Sequence, residues 1–251
     1  MSAIMRWLLF PFAMTALLLL GPVIAAVAGM ANVSGDWRTA SRAPAGIAPD
    51  PALVREAVVQ VYGARAFSWR GAFAVHSWIA LKPEGAERFT SYEVIGWRVM
   101  HGLSALSRRD GAPDTRWFGA LPEIYVDLRG ADAAALIPRI EAAVAAYPYK
   151  ETYRTWPGPN SNTFTAYVAR AVPELGLELP PTAVGKDFLG LDQVFATSPS
   201  GSGYQVSLFG VLGLLAAVEE GLEVNLLGLT FGIDPLDLQL KLPGLGRIGP
   251  G

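Results

Sequence analysis

The stretch Trp156-Pro157-Gly158-Pro159-Asn160-Ser161-Asn162-Thr163-Phe164 gathers the groups best placed to do chemistry. Two prolines and a glycine force a stiff, irregular approach. Four small polar residues then open what the recurrence of Phe164, Tyr167, Val168 and Ala171 predicts to be a helix over Asn160–Val172, closed by Pro173. The first N–H groups of a helix lack partners within it, so oxygen-bearing side chains collect there as caps. One cap, Asn160 or Ser161, would suffice. The surplus points to a second use, an N-terminus that holds an anion or oxyanion, with Ser161 presenting its hydroxyl and Asn160, Asn162 and Thr163 as ligand contacts.

His76 is the second element. It lies in AFAVHSWIAL, a run apolar enough for a core strand, where a lone histidine is either a hydrogen-bonded core residue or a general base. The only other histidine is His101, and there is no cysteine. That composition leaves neither a histidine-rich nor a thiolate metal site, and it excludes disulfides and a cysteine nucleophile. No cofactor is expected. Tyr147, Tyr149 and Tyr153 run into Trp156, an aromatic series suited to packing a long loop or lining a ligand groove. Lys186-Asp187 reads as a surface pair in preference to a polar contribution to a site, and Asp114/Arg116, beside Trp117, as a loop ion pair in preference to a pocket gate, the surface pair being of small energetic weight.

The elements that must position these residues are legible from periodicity. Val58–Phe67 is β-prone, Ala72–Leu81 reads as a buried strand, and Phe89–Val99 returns beside it as a hairpin partner. Arg108–Leu121 reads as a loop and Glu123–Leu128 as another strand. Leu136, Ile140, Val144 and Tyr147 mark a helix over Ala131–Tyr147, with a kink expected at Pro138. Asp50-Pro51 is read as the start of a short helix. In the glycine-rich tail, Tyr204–Leu208, Leu222–Phe231 and Leu236–Leu242 are strand-like. Its apolar run Val206–Leu229 is read as a buried hairpin in preference to a surface lying on a bilayer, since Glu219, Glu220 and Glu223 oppose anionic lipid.

The amino-terminal end has a different character. No charged side chain occurs from Trp7 through Gly35, and Trp7–Met30 is long enough for a transmembrane helix. A cleaved signal peptide also fits, because small residues, Ala25–Ala28, follow the apolar centre. The length favours an anchor with the amino terminus inside and the domain outside. Residues 1–35 are therefore read as a membrane anchor or signal segment, 36–51 as a linker, and 52–251 as a single α+β domain with a β-rich extension from about residue 200. A net charge of −2 supplies no basic field, so nucleic acid is not an expected partner.

Two resemblances add to these readings. A strand bearing His76, a following strand with a polar residue, and a later helix beginning Asn160-Ser161-Asn162-Thr163-Phe164 resemble circularly permuted papain-like proteins of the lecithin–retinol acyltransferase type. The resemblance implies an antiparallel sheet with packed helices, Ser161 in the nucleophile's place, His76 as base, and Glu93 or His101 as the group that orients it. Serine departs from the cysteine of that pattern and cannot form a thiolate–imidazolium pair, so His76 would have to act during attack. More extensively, WRGAFAVHSWIALKPEGA, YEVIGW, WPGPNSNTFTAYVARAVPELG and GLEVNLLGLTFGIDP are similar to a set of bacterial proteins catalogued as a domain of unknown function, number thirty-seven fifty. That likeness implies an envelope setting and supplies no activity. The expected functions are a membrane-anchored periplasmic amidase, esterase or acyltransferase on a cell-wall peptide or lipid, with Trp156 and His101 also contacting ligand; an inactive descendant that binds such a ligand; or a structural membrane partner.

Overall fold

The sequence alternates between strand and helix periodicity up to residue 171 and then turns almost wholly to strands, and the computed structural model follows that division. It describes residues 3–250, with side chains from Phe12 onward. After helix α1 (Ala3–Val27) come β1 (Val58–Arg65), β2 (Val75–Lys82), β3 (Phe89–Val94), α2 (Gly96–Met100), β4 (Leu106–Gly111), β5 (Pro122–Arg129), α3 (Gly130–Ala146) and α4 (Ser161–Ala171). The first five strands form an antiparallel sheet in the order β4-β3-β2-β1-β5. Seven short strands follow: β6 (Phe195–Thr197), β7 (Gly203–Leu208), β8 (Leu212–Ala217), β9 (Gly221–Leu226), β10 (Leu229–Asp234), β11 (Gln239–Leu242) and β12 (Gly246–Ile248). They pair in simple succession as a second antiparallel sheet. The architecture is thus mixed α+β with two antiparallel sheets and four α-helices among the described residues.

Residues of β1 and β2 are buried on both faces, which explains why they read as continuous apolar runs. Val59, Val61, Ile79 and Leu81 face α3 and α4, whose Leu136, Ile140, Val144, Phe164 and Val168 complete the main core. On the opposite face Tyr62 stacks on Trp78 with ring centroids 5.5 Å apart, alongside Val58, Ala80 and Phe89. Trp117, Ala120 and Ile124 cover that smaller cluster.

Several expectations change. The span Phe89–Val99 is a strand only to Val94 and then becomes α2, and the supposed loop Arg108–Leu121 begins with β4. Asp50 caps only a turn, accepting a hydrogen bond from Ala52 N–H at 2.9 Å. Helix α3 runs on through Pro138. The linker is not free chain. Pro44 bridges to Thr115, Arg116 N–H donates to Ala43 C=O and Gly119 N–H to Ser41 C=O. Asp114 is buried and pairs not with Arg116 but with the N–H groups of Ile47 and Ala48, at 2.8 and 3.2 Å. Residues 36–51 therefore clamp the loop that carries Trp117.

Among the described residues no helix is long and apolar enough to cross a membrane. The side chains of α1 are described from Phe12, and the Trp7–Pro11 part of the expected span lies outside them. Over its described length α1 buries one stripe, Leu18, Gly21, Pro22 and Ala25, and exposes Leu17, Leu20, Val23, Ile24 and Val27. Gly21 and Pro22 lie against Pro243 and Gly244 in the turn before β12.

The tail departs furthest from expectation. Leu222–Phe231 is two strands joined at Leu227-Gly228, both with positive φ (54° and 80°), the geometry of a tight type I′ hairpin. The sheet is inverted relative to a soluble hairpin. Its inner face, toward α4 and the loop after it, carries Gln205, Ser207, Glu223, Asn225 and Lys241, all buried. Its outer face is apolar in register: Val206, Leu214, Val224 and Phe231 align across four strands, and Leu208, Leu212, Leu226 and Leu229 form the next row. Polar groups turned inward must be paired, and the charged ones and Asn225 are, while Gln205 accepts from Arg170 through Oε1 and leaves its Nε2 without a partner. Lys186 Nζ bonds Glu223 Oε2 at 2.6 Å and Leu179 C=O at 3.1 Å. Asp187 Oδ2 accepts from Asn225 Nδ2 at 2.7 Å. Lys241 joins Glu178 and Glu223, and Arg247 joins Glu178. Lys186-Asp187 is therefore a buried link between the two sheets rather than a surface pair.

Removing one partner strands the other charge in the interior, so Lys186→Met should lower unfolding free energy by about 3–5 kcal/mol, with Lys186→Met/Glu223→Leu recovering part of that loss. Burial pushes the Lys186 pKa down, but Glu223 and Asp187 push it up by more, leaving it raised. A raised ammonium stabilises the fold below its ordinary value and loses that contribution as the pH rises through the folded one. The gap between wild type and Lys186→Met, measured by denaturant unfolding, should therefore narrow in alkali.

Candidate functional site

The start of α4 is built by Asn160. As N-cap it accepts from the N–H groups of Asn162 (2.9 Å) and Thr163 (3.1 Å), while Thr163 Oγ1 accepts from Asn160 N–H, a reciprocal capping box. Asn160 Nδ2 donates to the carbonyls of Thr155 and Val184, and Thr163 Oγ1 donates to Gly185 C=O at 2.7 Å. Gly185 has φ +96° and lies under the Asn160 amide, where a Cβ would be 2.3 Å from Nδ2. Asn162 is equally committed: its Nδ2 donates to Val75 and Val184 carbonyls, and its Oδ1 accepts from Ser77 Oγ at 2.8 Å. Three of the four polar residues thus fasten the helix start to β2 and to the loop at 182–185. Ser161 alone has a hydroxyl that pairs with nothing among the described residues. Its N–H is also the first of the helix that Asn160 does not cap, so the oxyanion donors expected at the helix start reduce to this one.

His76 is held on β2 by a 2.8 Å hydrogen bond between Nε2 and Glu93 Oε2 of β3, with both side chains almost fully buried. Glu93 is thereby the residue that orients His76, and the ring's other nitrogen, Nδ1, is left for other work. The imidazole lies flat against Trp117, centroids 3.6 Å apart and 10° between planes. His101 plays no part in this pair. It is exposed at the end of α2, with Nδ1 on Trp97 C=O at 2.8 Å.

Alternation along β2 sends Ser77 toward α4 and sends His76 and Trp78 to the other face. His76 and Ser161 nevertheless line one cavity of about 510 Å³, together with Arg70, Val94, Tyr153 and Thr155. The reason is an interruption in the sheet. β2 pairs with β3 only over Ile79–Leu81, so beside His76 the strands have parted. No hydrogen bond joins Ser161 to His76. A second cavity of about 850 Å³ shares the walls Phe67, Ile95, Trp97, Trp117 and Phe118, and reaches Glu93, His101, Arg42 and Arg109. Gly96 is required where the two adjoin, because a Cβ there would sit 2.5 Å from the Tyr153 ring. Burial raises the Tyr153 phenol pKa, so it stays neutral in this wall.

Trp156 lies outside both cavities. Its Nε1 donates to Leu227 C=O at 2.8 Å, tying the proline loop to the second sheet. Sequence reasoning missed Trp97, Phe67 and Phe118, which line the cavities, and reached Trp117 only as the neighbour of a possible pocket gate at Asp114/Arg116. The one available signal was the tryptophan beside the Asp114/Arg116 pair. Among the described residues no cluster of three or more His, Asp or Glu side chains is arranged to hold a metal ion.

The sequence model of a family described as protein of unknown function (DUF3750) matches residues 56–188, from just before β1 to the buried Lys186-Asp187 pair. No curated protein matches the chain, and no solved structure does. None of these comparisons supports the likeness to papain-like proteins.

The hydrogen bonds assign unequal costs to four adjacent residues. Asn162→Ala takes the side-chain donor from the Val75 carbonyl and one of several partners from Val184 and Ser77, and should cost on the order of 1–3 kcal/mol, whereas Ser161→Ala should stay within about 1 kcal/mol of wild type. Urea unfolding of the two variants compares them directly.

Proposed function

Since the chain belongs to the DUF3750 family, for which no activity is described, we propose from the site alone that it is a serine-dependent acyl-transfer enzyme, an amidase, esterase or acyltransferase. The observation that carries this reading is the His76–Glu93 hydrogen bond at 2.8 Å in the wall of the cavity that also holds the unpaired Ser161 hydroxyl. Glu93 fixes the ring and offsets the positive charge that His76 gains on taking a proton, leaving Nδ1 to serve as base. Ser161 Oγ attacks a carbonyl carbon, His76 receives its proton, and the Ser161 N–H at the helix start faces the developing oxyanion. The leaving amine or alcohol then takes the proton from His76, and water or a second alcohol resolves the acyl-enzyme. Aromatic walls from Phe67, Trp97, Trp117 and Phe118 suit an apolar or ring-bearing acyl component. We place the domain at the periplasmic face of a bacterial inner membrane, as anchor or cleaved product, on the strength of the uncharged run Trp7–Gly35. Its substrate is then a cell-wall peptide or a lipid of the envelope.

A second reading, an inactive domain that binds such a ligand, is favoured by a specific observation. His76 and Ser161 come from opposite faces of the sheet and share no hydrogen bond, while Trp117 covers one face of the imidazole.

A fluorophosphonate probe separates the two. The enzyme should be labelled at Ser161, labelling should vanish in Ser161→Ala, and His76→Ala should slow it by about 10²–10⁴-fold. A folded wild-type chain that takes up no label, yet binds an envelope extract component lost on Trp117→Ala, would establish the binding domain instead.

A further inference from the structure

The outer face of the second sheet has no counterpart in the acyl-transfer site. We propose that this face is a second membrane-contact surface, lying against the hydrocarbon of a lipid layer beside α1. A contiguous exposed apolar face, unlike apolar residues scattered singly, marks a surface that contacts another molecule or lipid. The rows that cross β7 to β10 carry no charged side chain, and Leu214 and Leu222 are 63% and 53% exposed. The inversion is the stronger argument. A sheet whose buried face is dominated by polar groups, its charges all paired, and whose open face is apolar is built for an apolar solvent on the outside.

Two observations select lipid over a second copy of the chain. First, α1 also exposes apolar side chains around most of its described surface, and its Gly21-Pro22 rests on Pro243-Gly244 at the edge of this same sheet. A protein partner seated on the sheet would leave the helix uncovered, whereas one hydrocarbon layer covers both. Second, the surface is not made for charge attraction. The basic residues of the tail, Lys241 and Arg247, are both paired with Glu178, and the exposed charges nearby, Asp192, Glu219 and Asp237, are acidic. The contact is therefore hydrophobic and independent of anionic headgroups. It does not depend on Ser161 being a nucleophile.

The chain has no cysteine, so single labels are unambiguous. The full chain is reconstituted into phosphatidylcholine vesicles with an environment-sensitive fluorophore at Leu214→Cys, at Leu222→Cys, or at the exposed Glu151→Cys outside the sheet. The first two labels should emit to the blue and lose most of their emission when the acyl chains are brominated, with iodide in the water having little effect, while the Glu151 label should show the reverse. The same pattern is expected with and without added phosphatidylglycerol. Iodide quenching at 214 and 222 without bromine quenching overturns the proposal. Protection from both quenchers, with crosslinking between labelled chains, also overturns it and assigns the face to a second copy.

Discussion

Asn162 holds three parts of the chain together with one side chain: the start of α4 on which it stands, the first residues of β2 through Val75 and Ser77, and the loop at Val184. Each contact pairs a buried polar group: the Val184 carbonyl is shared with Asn160, the Ser77 hydroxyl with Thr165, and the Val75 carbonyl takes its side-chain donor from Asn162. Leaving such groups unpaired is costly. The position of everything else at the site follows. The loop at 182–185 is placed because its carbonyls receive the Asn160 and Asn162 amides and the Thr163 hydroxyl, and the register of α4 against β2 is set by the same bonds. Ser161, between two committed asparagines, is positioned by them without sharing their bonds.

Around that fixed point the molecule is arranged by where its polar groups can be paired. The His76–Glu93 pair sits where β2 and β3 separate, so a space opens that a fully paired sheet would close. The linker closes the opposite side, because Asp114 answers two linker N–H groups and brings Trp117 over the imidazole. The second sheet is attached by charge: Lys186, Glu223, Lys241 and Glu178 form a chain of buried ionic contacts between the layers. Burial of so many ions is not an economical source of stability, and its structural effect is to fix which face of the sheet points inward.

The sequence announced what rests on local periodicity. Helices α3 and α4, strands β1, β2 and β5, and the cap at Asn160 are all set by side chains within a few residues of one another. It also showed that Ser161 belongs to an over-supplied helix start, though not that its neighbours are consumed by the fold, because their partners Val75, Ser77 and Val184 are remote in the chain. Glu93 and His101 were indistinguishable as orienting groups until strand register put one against His76 and left the other exposed on α2. The tail was misread for a physical reason. Strict alternation fixes that one face is apolar, but it does not say which face is covered, and soluble proteins set the default. The stacking of Trp117 on His76 was not legible because a loop held by a distant linker leaves no periodic trace.

The buried charges also bear on the segment that the family model matches. The matched segment ends at residue 188, yet Lys186, Asp187 and Arg170, all within it, are answered by Glu223, Asn225 and Gln205 beyond it. Burial pulls the Arg170 guanidinium down to about 10, and Asp187 and Glu220 act against that fall. A segment cut at residue 188 would carry three ions shaped for an interior that it no longer has. The matched stretch thus depends, for the pairing of its own buried charges, on chain that lies outside it.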